Sequence, residues 1–106
     1  MKVPEVISTR VKKLNCYLGQ LKSLQNIDLQ KFKDDPKIHF TAERCLHLAI
    51  ESVLDMGNHL IAASGMEEPK DYEDIVTTLG KAKVFPPEFV GKVKGLGKFR
   101  NILVHA

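Results

Sequence analysis

Three observations predict an all-α fold for this chain. Apolar residues recur at three- and four-residue spacing through four segments, no stretch alternates long enough to read as a strand, and short connections join the segments. Short links between amphipathic helices favour antiparallel neighbours, so the expected architecture is an elongated antiparallel bundle of four main helices. With 106 residues the chain is expected to form one domain, residues 1–106.

The first helix is expected from about Pro4 to Gln25. Val6, Ile7, Val11, Leu14, Tyr17, Leu18, Leu21 and Leu24 form one apolar stripe along it, and Pro4 suits a first turn, where its missing N–H costs little. "NIDLQKFKDD" links it to a long second helix, with room for a short helical turn of its own. Asp35 can cap that second helix, with Pro36 in its first turn, and Gly65 can end it. A continuous helix over this span is about 45 Å long, which implies either an elongated bundle or a break near "IHFT" or Gly57. The broad stripe of Ala42, Leu46, Ala49, Ile50, Val53, Leu54, Gly57, Leu60 and Ile61 suits a central helix with more than one neighbour. A third helix should start at Asp71 and stop near Gly80. A fourth should start at Pro86 and Pro87 and carry Phe89, Val90, Val93, Leu96, Phe99, Ile102 and Leu103.

Composition excludes several classes of protein. Hydrophobic residues at 43% and charged residues at 27% are those of a globular chain, not a disordered or membrane-spanning one. No apolar run approaches a spanning length and the start lacks a secretory signal, so a cytoplasmic location is expected. Cys16 and Cys45 sit among apolar residues outside any C-x-x-C pair and are expected to be buried free thiols. The net charge of +3 is unevenly placed. Residues 81–106 hold six cationic side chains against Glu88 alone, whereas residues 1–80 hold ten against twelve acidic ones. Such local positive potential attracts phosphate backbones, although a solvated lysine-rich face has the same composition.

Three constellations could carry chemistry. Glu43, His47, Glu51, Asp55 and His59 recur every four residues on the long helix. The residues three after Glu43, Glu51 and Asp55 are Leu46, Leu54 and Asn58, so the Glu-x-x-His pattern of di-iron bundles is not met. A solvated face with i,i+4 pairs fits better, and neither a metal nor a cofactor is expected. Within that stripe Asp55, Asn58 and His59 share one side and could line a groove. In "GKVKGLGKF" the glycines Gly91, Gly95 and Gly97 each disfavour helix by about 1 kcal/mol relative to alanine. The segment is therefore either not fully helical or closely approached by another backbone, and Gly91 and Gly95 lie on one face of a regular helix. No P-loop pattern is matched.

The third is "RNILVH". Arg100 offers a permanently charged planar fork suited to phosphate, and His105 a proton that moves near neutrality. Together they suffice for metal-independent RNA cleavage, with Asn101 able to orient a phosphate or a hydroxyl. Positions 100 and 105 lie about 140° apart around an ideal helix. Either the helix distorts there or a second copy of the chain completes the site. Polar residues at the end of a surface helix would leave the same pattern with no chemistry.

"ERCLHLAIESVLDMGNHLI", "DYEDIVTTLGKAKVFPPEF" and "KFRNILVH", in that order, resemble the HepT-like toxins of the HEPN superfamily over roughly residues 5–106. The superfamily signature is an arginine, four to six residues and a histidine, with a polar residue directly after the arginine. It maps onto Arg100, Asn101 and His105. The resemblance implies a small helical bundle that dimerises so that two motifs face one cleft. It also implies metal-independent endoribonuclease activity against cellular RNA, tRNA or mRNA, with His105 as general acid/base, Arg100 as phosphate clamp and Asn101 as positioning group. Lys94 and Lys98 would then assist along the RNA backbone. The implied partner is a minimal nucleotidyltransferase antitoxin of the MntA type. Similar members carry a tyrosine two positions after the histidine, modified with AMP by that partner, and then a further C-terminal helix. The sequence stops at Ala106, so a C-terminally short form is expected. The alternative reading is a non-catalytic helical subunit that binds and regulates such a nucleotidyltransferase; a third is an interaction module whose polar end is incidental.

Overall fold

A computed structural model describes the backbone of residues 5–105 and the side chains of residues 5–102. Among these residues the fold is all-α, in the order α1 (Glu5–Ser23), α2 (Leu29–Asp34), α3 (Pro36–Ala63), α4 (Tyr72–Lys81), α5 (Pro87–Val93) and α6 (Leu96–His105). None of these helices is long and apolar enough to cross a membrane. Packing divides the chain into two compact units, Met1–Ser52 and Val53–Ala106, and α3 runs unbroken from one into the other.

In the first unit the apolar stripe of α1 forms as its periodicity predicts, yet no residue of α1 is fully buried, and Val11 and Leu18 are 41% and 45% exposed. Cys16 is also exposed, against expectation, whereas Cys45 is buried; both are free thiols. The connector forms the short helical turn for which it had room, α2. Asp28 caps α2 by accepting from the Lys31 N–H at 2.9 Å. Asp35 then opens α3, its carboxylate accepting from the Lys37 N–H at 3.0 Å. Among the described residues of this unit the buried positions lie on α3: Cys45, Ala49, Ile50 and Ser52, whose hydroxyl donates to the Leu48 carbonyl at 2.9 Å.

The second unit takes its core from Leu54 and Ile61 on α3 and Ile75, Val76 and Leu79 on α4. Leu54, Ile61 and Leu79 are at most 1% exposed. The long helix does not break at Gly57; that residue is buried there instead. It stops as expected at Gly65. With φ at +69°, Gly65 lets its own N–H reach the Ala62 carbonyl and that of Met66 reach the Ile61 carbonyl, a Schellman closure. The same closure ends α4 without a glycine. Lys83 sits at φ +61°, its N–H donates to Gly80 and that of Val84 to Leu79.

The expected fourth helix is two helices. Pro86 and Pro87 start α5, but Lys94 (φ −58°, ψ 129°) and Gly95 (φ +94°) turn the chain as a type II turn does, and α6 starts afresh at Leu96. The last expected helix is therefore divided in two, and faces counted across Gly95 lose their meaning. Gly91 is exposed and Gly95 half-buried, and nothing lies near the absent Cβ of either, so no close approach occurs on the face they were expected to share.

Candidate functional site

The site is built where the start of α4 meets the start of α6. Asp71 caps α4 by accepting from the Asp74 N–H at 2.8 Å, and Asp74 reaches back to the Lys70 N–H at 3.0 Å. This reciprocal arrangement, close to a capping box, fixes the first turn of α4 and with it the directions of Tyr72 and Glu73.

Glu73 does not serve its own helix. Its Oε2 accepts from the Gly95 N–H at 3.2 Å, and its Oε1 from the Gly97 N–H at 3.0 Å and the Lys98 N–H at 3.4 Å. Helix starts leave such N–H groups unpaired and carry positive potential, so a carboxylate there satisfies both. The consequence for function is that a phosphate meets an occupied helix end at α6. Any anion site here must use side chains further along the helix.

Gly97 makes this contact possible. A Cβ at that position would lie 2.6 Å from the Tyr72 Cβ and 3.1 Å from the Glu73 N, atoms at or beside the main chain that cannot swing aside. The glycine cluster thus does mark a close backbone approach, at Gly97 rather than at Gly91 and Gly95.

One turn on, the Arg100 guanidinium carbon lies 4.9 Å from the centre of the Tyr72 ring, within cation–π range. Arg100 Nη1 donates to Asn101 Oδ1 at 3.1 Å. A guanidinium has only donors, so it selects the amide oxygen and turns the NH2 end of Asn101 away from itself. Arg100 is half-buried and Asn101 exposed. Beside them is a cleft of about 510 Å³ whose lining includes Asn58, Lys70, Tyr72, Lys98 and Asn101, over Ile75 and Gly97. Glu68 and Asp71 also face it, so the cationic excess of residues 81–106 meets carboxylates at this opening.

The cleft thus brings together Asn101, Lys98 and Asn58, and Arg100 is tied to its rim through Asn101 and Tyr72. Lys94 is separated from them and lines another cleft, of about 460 Å³, with Val76, Gly80 and Val90. Of the three residues expected to share a groove on the long helix, Asn58 lines this cleft, while His59 is exposed and Asp55 half-buried outside its lining. His105 belongs to α6, which runs uninterrupted from Leu96, but its side chain lies outside the described residues. Along the acidic and histidine stripe, His39 Nδ1 and Glu43 Oε1 are 3.8 Å apart and His47 Nε2 and Glu51 Oε1 3.2 Å apart. Arg44 Nη1 lies 3.0 Å from His47 Nδ1. The two histidine–glutamate pairs are the i,i+4 pairings expected of a solvated face, and Arg44 adds an i,i+3 contact at His47, which is partly buried. Tyr72 and Glu73 are the residues that sequence reasoning missed. "DYED" reads as a cap and nothing more, because the partners of both side chains lie more than twenty residues away.

Comparison with known proteins places these features in context. A family model described as ribonuclease HepT-like matches residues 14–106. The chain is 29% identical over 104 residues to a protein of Aphanizomenon flos-aquae (strain 2012/KM1/D3) named tRNA nuclease HepT. That match covers 96% of this chain and 69% of the relative. It is 37% identical over 62 residues to YutE of Bacillus subtilis (strain 168), provisionally named an RNase, covering 58% of this chain and 43% of that protein.

Proposed function

The chain belongs to the HepT-like ribonuclease family, and from that premise we propose that it is a metal-independent endoribonuclease of a toxin–antitoxin pair. Arg100, Asn101 and His105 form its working motif. The observation that carries this reading is the Arg100 guanidinium held over Tyr72, a ring that lines one cleft with Asn101 and Lys98. A cation restrained in this way presents its charge at a fixed place beside the cleft, where a phosphate would meet it.

In the proposed reaction His105 removes the proton from a ribose 2′-OH. The oxygen attacks the adjacent phosphorus, the Arg100 guanidinium offsets the charge that builds on the phosphoryl oxygens, and a protonated imidazole donates to the departing 5′-oxygen. The products are a 2′,3′-cyclic phosphate and a 5′-hydroxyl. Asn101 positions the phosphate or the hydroxyl through its amide, and Lys98 steadies the RNA backbone. Because α6 is uninterrupted, positions 100 and 105 of one copy diverge by about 140° around its axis. The site is therefore shared between two copies, Arg100 from one and His105 from the other. The name of the Aphanizomenon relative makes tRNA the first substrate to test.

Digestion of tRNA and total RNA by wild type beside His105→Ala tests the chemistry. Cleavage to cyclic phosphate ends by the wild type alone is expected; equal cleavage by a clean His105→Ala preparation removes His105 from the mechanism. Mixing inactive Arg100→Ala with inactive His105→Ala tests the sharing. Random pairing should restore about one quarter of wild-type activity if each site draws on both copies, and no recovery refutes a shared site. The second reading, a non-catalytic subunit docked on a nucleotidyltransferase, is supported by the exposed Val11 and Leu18 on α1. It predicts co-purification with the transferase and no cleavage by wild type.

A further inference from the structure

We propose that Tyr72, fixed by its neighbour Glu73, is the positioning residue for the Arg100 guanidinium. This inference rests on the ribonuclease reading for its catalytic consequence but not for its geometry.

Three observations converge on it. Glu73 decides where α6 begins, taking hydrogen bonds from Gly95, Gly97 and Lys98 with both carboxylate oxygens. Gly97 brings the two helix starts into van der Waals contact at the Tyr72 Cβ, so the ring base and the helix carrying Arg100 cannot move independently. The ring then lies under the guanidinium at 4.9 Å. A long arginine side chain ordinarily samples many rotamers, and stacking on a ring anchored at its base reduces that freedom. The aromatic face does this without competing for the guanidinium's hydrogen atoms, which a carboxylate partner would do. Glu73 contributes a second effect by occupying the amide groups at the start of α6, where a phosphate would otherwise settle one turn short of Arg100.

The test uses Tyr72→Leu and Tyr72→Phe in the full chain. With RNA as substrate, Tyr72→Leu should lower kcat about tenfold, the scale of a partly desolvated cation–π contact, with KM within about twofold. Tyr72→Phe, which keeps the ring, should recover most of the loss. In an Arg100→Lys background the Tyr72→Leu change should add nothing, because the planar fork it positions is gone. An equal loss in both backgrounds means that Tyr72 acts only through the fold and overturns the proposal. A second readout needs no RNA. In 1H–15N spectra the Arg100 Nε–H should be shifted upfield by the ring and return to the range of exposed arginines in Tyr72→Leu. An unchanged Arg100 resonance overturns the proposal whether or not the protein cleaves RNA. A displaced resonance in a wild type that cleaves nothing leaves the pairing intact and removes the ribonuclease reading alone.

Discussion

The two halves of the chain use polar side chains in different ways. In the unit before Val53 several polar ties run along single helices: Gln30 donates to Asp34, the Thr41 hydroxyl to the Lys37 carbonyl, and His47 sits between Arg44 and Glu51. These bonds support local helix and say nothing about tertiary position. In the unit after Ser52, Glu73 leaves its own helix and joins residues 22 to 25 positions away. A buried Leu54, Ile61 and Leu79 core holds that unit together, while α1 keeps half-exposed apolar residues along its stripe. A working site requires the second kind of construction, in which side chains distant in sequence are held in one geometry.

Substitutions can break or sharpen this contrast. The largest effect beyond the active motif is expected from Gly97→Ala. Its new methyl meets the Tyr72 Cβ and the Glu73 main chain, so α6 must move off α4. Urea denaturation should show a loss of about 1–3 kcal/mol, with RNA cleavage falling further than stability alone explains; an unchanged midpoint would mean that the two helix starts are not in contact. Lys83→Gly should move the other way. Lys83 occupies a left-handed conformation that favours glycine, so relieving it should raise stability by up to about 1 kcal/mol, read from the shift of the denaturation midpoint. The smallest change is expected on α1. Leu18 is 45% exposed, and in dilute protein Leu18→Ala should stay within about 0.5 kcal/mol. A loss above about 2 kcal/mol would show that another surface covers this face in solution, and would erase the difference between the halves.

The caps were legible because their chemistry is local. Asp35, Asp71 and Gly65 act on backbone groups within a few residues, and each acts as its residue type predicts. The end of α4 was harder to read, since Lys83 does the work of a glycine and carries no signal of it. Reading residues 87–105 as one helix fails at one turn: Gly95 at φ +94° resets the helical phase, so the pairing of Gly91 with Gly95 on one face has no physical basis. Cys16 shows the converse error. Helical spacing predicts which residues share a face, but not whether anything covers that face.

By itself the sequence determined the all-α class, the amphipathic stripes and the place of "RNILVH" on the last helix, because periodicity, capping and residue chemistry act over one or two turns. Only the tertiary structure decided that Glu73 would hold the start of α6, that Tyr72 would lie beneath Arg100, and that Lys98 rather than Lys94 would share the cleft with Asn101. Those pairings depend on two helix starts meeting across more than twenty residues of chain, and no local pattern records which of many compatible surfaces will meet.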